Sequence, residues 1–257
     1  MITAYHRPKT LDEALALLSQ DDAVPLGGGT LLSHASTSLS TGSTTDSIQA
    51  VDLQLLGLNS LTKSGNNLEL GATLTLQSLL ESEHCPKALK TALNLEAPLN
   101  IRNSATVAGT LVACDGRSTF ASMLLASDAK ITIKSKQKEE QTINIGDFLP
   151  LRNIQGGLIT SITLPLNIKL AFEYVSKTPS DKPLVCAAVA QWNSGRTRLA
   201  LGGYGKSPML GMDGTESEGV AVGAKNAFHE ATDEWASAEY RMDVASTLVK
   251  RCLENLN

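Results

Sequence analysis

The sequence predicts an α+β chain, and three observations predict it. Thr10-Leu11-Asp12-Glu13 forms a capping box ahead of one apolar helical stripe, Leu11, Ala14, Leu15 and Leu18. Short strand-like runs then alternate with short helical ones through the first two thirds of the chain. The last third carries three strand-like runs in succession followed by two helices, the segregation expected of an α+β arrangement.

Taken in order, Asp21-Asp22 breaks the first helix, and Ala23 to Leu26 reads as a short buried strand. Gly27-Gly28-Gly29-Thr30 follows at once. From Ser33 to Ser47, 10 of 15 residues are Ser or Thr, too few apolar groups to offset the entropy of ordering, so a long mobile loop is expected. Ile48 to Leu53 is the returning strand and Leu68 to Ala72 another. Thr75 caps a short helix through Ser82, and Pro86 to Leu95 forms a second. Between Glu96 and Gly116 the pattern loses its period, and so long an irregular stretch inside a compact domain points to function. Helix resumes over Thr119 to Ala126, and strands follow at Ala129 to Ser135, Gln141 to Ile145 and Leu158 to Leu164. Past a boundary at Pro165 to Lys169 come strands Leu170 to Val175, Leu184 to Trp192 and Thr197 to Leu201. Asn193-Ser194-Gly195 joins the last two as a hairpin turn. Helices near Glu218 to His229 and Ser237 to Leu256 close the chain, the latter with Tyr240, Val244, Leu248 and Cys252 at i, i+4 spacing.

Composition excludes several classes. With 257 residues, 42% hydrophobic and 19% charged, the chain can bury roughly 70–75% of its unfolded surface. Net charge is −4 and no basic run exceeds two residues, which argues against nucleic acid as a partner. No window approaches the ~18 consecutive apolar residues of a membrane span. Met1 to Pro8 has no apolar h-region, so a cytoplasmic location is expected. Cys85, Cys114, Cys186 and Cys252 lie far apart, and the four His residues are equally scattered, so no resident metal is expected.

Two loops carry the chemistry. Gly27 to Thr30 after a strand suits either a tight turn or a nest of N–H groups for a pyrophosphate. It is neither a Walker loop nor G-x-G-x-x-G leading into a helix. Asp52 sits where a ribose-binding acid could stand, but without that fingerprint it reads as a strand end. Ile101-Arg102-Asn103 with Thr106-Val107-Ala108-Gly109 is the second loop: small residues let backbone approach a ligand, and the Thr106 hydroxyl can donate to a phosphate or flavin oxygen. For Arg102, pinning the loop to carbonyls outweighs binding phosphate. Asp115-Gly116-Arg117-Ser118 reads either as a ribose contact or as a turn with an N-cap. Cys114 reads as core, and Trp192 and Trp235 as packed under the C-terminal helices.

The two loops at this spacing resemble the medium, FAD-binding subunit of molybdenum hydroxylases of the carbon monoxide dehydrogenase and xanthine dehydrogenase family. The resemblance covers essentially the whole chain. Tyr5-His6-Arg7-Pro8 is similar to the opening strand, and Leu26 to Leu32 to A-G-G-T-D-L, with Gly27 in the Ala place and Leu31 in the acidic or Ser place. Ile48 to Leu53 resembles I-D-L, Leu70 to Thr73 I-G-A-x-T, and Ile101 to Gly109 I-R-N-x-x-T-I-G-G. Ala200 to Gly203, Pro208 and Tyr240-Arg241 look like the family's C-terminal part.

The resemblance implies a two-part FAD-binding domain of the vanillyl-alcohol-oxidase type, about 1–53 and 54–168, followed by a three-stranded antiparallel sheet with helices, about 169–257. It implies FAD as cofactor and a molybdopterin-binding large subunit and a [2Fe-2S] small subunit as partners. The implied role is relaying electrons from the iron–sulfur subunit to an external acceptor. The implied FAD contacts are Gly27, Gly28, Gly29, Thr30, Leu31 and Leu32, then Ile101, Arg102, Thr106, Val107, Ala108 and Gly109, with Leu164 against the ring system. Thr119 falls where the family writes a FAD-holding Asp, and Asp115 is the nearby substitute. Glu173 stands where relatives carry Lys, and Lys177 near a usual Arg. These departures thin the positive support for an anionic cofactor and leave two alternatives: an assembly subunit that has lost FAD, or a flavin oxidoreductase acting alone.

Overall fold

The computed structural model describes residues 2–31, 47–136, 139–152, 154, 156–215, 217 and 219–256. Three sheets follow one another along the chain. Strand β1 (Ile2–His6), helix α1 (Leu11–Leu18), β2 (Ala23–Leu26) and β3 (Ile48–Asp52) make a parallel sheet in the order β1-β3-β2. The capping box forms as expected, with the Thr10 hydroxyl accepting from the Glu13 N–H and the Glu13 carboxylate accepting from the Thr10 N–H. Ala14, Leu15 and Leu18 of α1 pack on Val51, Leu53 and Leu158.

The second sheet is antiparallel, in the order β4-β5-β8-β6-β7. It comprises β4 (Leu61–Ser64), β5 (Asn67–Gly71), β6 (Lys130–Ser135), β7 (Gln141–Asn144) and β8 (Gly157–Pro165). Between β5 and β6 run α2 (Leu76–Glu81), α3 (Lys87–Glu96), α4 (Leu99–Arg102), α5 (Val107–Ala113) and α6 (Thr119–Ala126), with α7 (Ile145–Phe148) after β7. The stretch read as irregular therefore contains two helices. Four and seven residues are too few to show a helical period, so only the Thr106 cap announces one of them.

The third sheet has four antiparallel strands rather than three, in the order β12-β11-β10-β9: β9 (Ile168–Val175), β10 (Val185–Trp192), β11 (Thr197–Gly202) and β12 (Met209–Gly214). The added edge strand, Met-Leu-Gly-Met-Asp-Gly, hides behind two glycines and an aspartate, residues that depress strand propensity. Helices α8 (Val220–Ala227) and α9 (Ala238–Leu256) cover its outer face.

One continuous core joins the second and third sheets. Leu68, Leu70, Ile131, Ile159 and Ile162 meet α2, α3, α5 and α6 from one side, while Cys186, Ala188, Ala190 and Ala200 meet them from the other. All eight residues of α6 are buried in this layer. The alanines of β10 keep that strand thin enough for helices to approach both faces.

Candidate functional site

Parallel sheets bind ligands past the carboxyl ends of their strands, and Gly27 to Leu31 leave β2 at that end. This loop faces the start of α5 across a cleft of about 380 Å³. Glycine is required by the contact between the two loops. A Cβ on Gly28 would lie 1.7 Å from the Ser104 carbonyl oxygen, and one on Gly27 would lie 2.8 Å from the Thr106 hydroxyl. Ala108, Gly109, Val112 and Ala113 continue the wall along α5, and Ile154 and Gly156 to Ile159 close the far side.

Hydrogen bonding separates the two walls. On the α5 side the Val107 N–H donates to the Leu74 carbonyl (2.9 Å), that of Ala108 to the Ala72 carbonyl (3.2 Å) and that of Gly109 to the Thr106 hydroxyl (3.1 Å). The first turn of α5 is thus satisfied within the protein, and the buried Thr106 hydroxyl keeps its own proton to donate. On the glycine side, the Gly28 and Thr30 amides have no acceptor among the described residues. No Lys, Arg, His, Asp or Glu lines the cleft among those residues. The site is an apolar slot with spare backbone donors at one end.

Of the residues singled out in sequence, Gly27, Gly28, Gly29, Thr30, Leu31, Thr106, Ala108 and Gly109 come together here. Leu32, like the Ser33 to Asp46 segment, lies outside the described residues. The others go elsewhere. Val107 is fully buried, Leu164 is buried in β8 opposite Leu68, and half-buried Ile101 packs on the main core. Arg102 pins its loop, donating to Gln77 Oε1 (2.9 Å) and to the Ala97 (2.7 Å) and Asn94 (3.3 Å) carbonyls. Asp115 accepts from the Arg117 N–H (2.9 Å), pairs with Lys182 (3.3 Å) and does not line the cleft.

Thr119 is fully buried, donating to the Ala92 carbonyl (2.7 Å) and the Glu96 carboxylate (3.1 Å), so it faces α3 and not a ligand. Glu96 supplies the carboxylate at this helix start, also accepting from the Ser118 hydroxyl and the Phe120 N–H. Burial pushes the Cys114 thiol up to about 11, as fits a core cysteine. Neither tryptophan packs beneath the C-terminal helices. Trp235 lies 43% exposed between Arg117 and Lys177, and Trp192 packs on the inner core with Arg196 over its ring. Sequence reasoning missed the far wall; Gly156-Gly157 at the start of β8 is the signal that could have found it.

Comparison with known proteins agrees with this architecture. The family described as FAD binding domain in molybdopterin dehydrogenase matches residues 1–167. The chain is 28% identical over 256 residues to the uncharacterized protein YgfM of Escherichia coli strain K12, covering 97% of this chain and 94% of that one. It is 26% identical over 280 residues to the carbon monoxide dehydrogenase medium chain of Afipia carboxidovorans, covering 97% and 95% respectively. In fold it is similar to the crystal structure of a cyanide-inactivated Cu,Mo-CO dehydrogenase, with TM-score 0.83, 23% identity and coverage of 100% of this chain and 98% of that one. Among the described residues no helix is long and apolar enough to cross a membrane. With the matched segment spanning both FAD-domain sheets and both loops, the chain belongs to the family of FAD-binding subunits of molybdopterin dehydrogenases.

Proposed function

We propose that this chain is the electron-transfer subunit of a molybdopterin-dependent hydroxylase, holding FAD and relaying electrons from a [2Fe-2S] subunit to an external acceptor. The observation that carries the reading is the slot itself: an apolar cleft ending at the Gly28 and Thr30 amides, which have no acceptor within the described chain. Those amides and the Thr106 hydroxyl would donate to the pyrophosphate, while Leu31, Val112 and Leu158 would exclude water beside it. FAD would supply the redox chemistry, for which no side chain of the cleft among the described residues is suited. The lack of a cation in the lining among the described residues also bears on which flavin fits. A terminal phosphate monoester carries nearly two charges at neutral pH and calls for an Arg or Lys, whereas each phosphate of a pyrophosphate diester carries one and suits neutral donors. The family membership and the likeness to a protein named carbon monoxide dehydrogenase medium chain support the partner assignment.

Titrating the purified chain with FAD and with FMN tests the cofactor. Flavin absorbance should appear with FAD, with FMN at least ten-fold weaker; failure to take up FAD, or a preference for FMN, overturns the reading. Co-expression with molybdopterin and [2Fe-2S] subunits tests the relay, which requires a stable complex whose flavin is reduced by substrate of the large subunit. A chain that stays alone and oxidises substrate unaided overturns it. That outcome finds no support in the cleft, where no His or carboxylate stands ready as a base among the described residues. A second reading, an assembly subunit without FAD, is favoured by one observation: the amides opening α5 are already satisfied internally, leaving the glycine loop to supply nearly all the donors.

A further inference from the structure

Arg152 adopts a left-handed backbone conformation, φ +45°, which a non-glycine residue keeps only where its surroundings hold it. Its guanidinium has no carboxylate partner among the described residues and is spent on carbonyl oxygens instead. Nε donates to Leu149 (3.1 Å), Nη1 to Cys114 and more weakly to Val112 (3.5 Å), and Nη2 to Lys206. Val112 belongs to the α5 wall of the cleft and Cys114 caps that helix, while Lys206 lies in the β11–β12 connection of the third sheet. The chain leaving Arg152 becomes the opposite wall, Ile154 and Gly156 to Ile159.

A second set of bonds runs beside it. The Gly116 N–H donates to Gly205 (2.9 Å) and the Gly203 N–H to Gly116 (2.7 Å), an approach so close that a Cβ on Gly116 would lie 1.8 Å from the Tyr204 carbonyl oxygen.

We propose that Arg152 is a positioning residue that latches both walls of the cleft to the β11–β12 connection, so that filling the cleft and ordering that connection favour each other. The inference rests on the FAD reading for the identity of what fills the cleft. A cationic fork suits the role because it gathers carbonyls from three separate segments at once, including those ending a helix, where positive charge is favourable. Coupling of this kind is reciprocal: a ligand that prefers the latched state must tighten the latch.

Hydrogen exchange on the full chain tests it, comparing wild type, Arg152→Gly and Arg152→Lys with and without FAD. Arg152→Gly keeps the left-handed backbone while removing the fork. Without FAD it should speed exchange over 112–116 and 203–208 by about five-fold or more and leave β10 unchanged. Arg152→Lys, able to reach one carbonyl at a time, should fall between. FAD should slow exchange over 203–208 in wild type and do so less in Arg152→Gly, whose FAD dissociation constant should rise about five-fold or more. No change over 203–208 in Arg152→Gly, or an equal rise throughout β10, overturns the latch. FAD binding without protection of 203–208 overturns the coupling and leaves the FAD reading standing. If wild type takes up no FAD, the FAD reading falls, and the ligand-free comparison still decides the latch.

Discussion

At Thr119 a single hydroxyl proton is offered to two acceptors, the Ala92 carbonyl at 2.7 Å and the Glu96 carboxylate at 3.1 Å, in a fully buried site. A carboxylate there would bring no donor and would add like charge. Thr119→Asp is therefore expected to destabilise the fold by about 2–4 kcal/mol, read as a lower urea midpoint, and not to restore a family contact. Equal stability would place the side chain elsewhere. At Gly28 the constraint is steric. Gly28→Ala puts a methyl group where the Ser104 carbonyl already stands, so the two loops must part, at a cost of about 1–3 kcal/mol in thermal stability. FAD affinity should fall at least ten-fold while far-UV circular dichroism is kept, because Gly27 to Leu31 lie outside the main core. An unchanged affinity would show that the loops need not touch to hold the cofactor.

Among the elements, α6 is the one whose surroundings decide most. Its eight residues are all buried, and its first turn is held by the Ser118 cap, whose hydroxyl accepts from the Ala121 N–H, and by Glu96 from the end of α3. Glu96→Ala takes the acceptor from the Ser118 hydroxyl and the Phe120 N–H, while Thr119 keeps the Ala92 carbonyl. It should cost about 1–3 kcal/mol by chemical denaturation, and a loss within error would show water replacing the carboxylate. Where α6 meets β11 and β12, Arg198 pairs with both Asp128 and Asp213 at 2.9 Å, and Arg196 joins the same two carboxylates. The hydrogen bond from Arg196 is the main reason the Asp213 carboxyl sits below its ordinary range. A carboxyl depressed in the folded state stabilises above its unfolded pKa of about 4, and that contribution fades as pH falls through the lower folded value. Below about pH 4, wild type should thus lose stability more steeply than Asp213→Asn; parallel acid limbs would remove this pair from the pH response.

Across the whole molecule, the shared core between the second and third sheets makes their unfolding one event, and the cysteines report on it. All four are free and buried, and burial raises the thiols of Cys85, Cys186 and Cys252 to about 12 and that of Cys114 to about 11. At pH 8 an aromatic disulfide reagent should label none of them in the native protein within minutes and all four after denaturation. Labelling should follow global unfolding as urea is raised. Rapid reaction of Cys114 alone would reveal independent opening of the segment between α5 and α6.

The sequence by itself determined the local signals and their order: the capping box at Thr10, the cap at Thr75, the glycine run after β2 and the strands either side of Asn193-Ser194-Gly195. Those features depend on neighbours within a few residues, which is why they can be read from them. The glycine run and the Thr106 loop stood out in the sequence as a pair, and the fold brings them to one cleft. What only the tertiary structure decided depends on residues far apart in the chain. Thr119 looks like a ligand position in a motif and becomes a core donor because α3 delivers Glu96 beside it. Leu164 faces the core because β8 pairs with β5 and β6, a register fixed by partners about 95 and 30 residues away and not by its own neighbours. The strand β12, weakened by two glycines and an aspartate, persists because β11 supplies the hydrogen bonds that its own propensity would not secure.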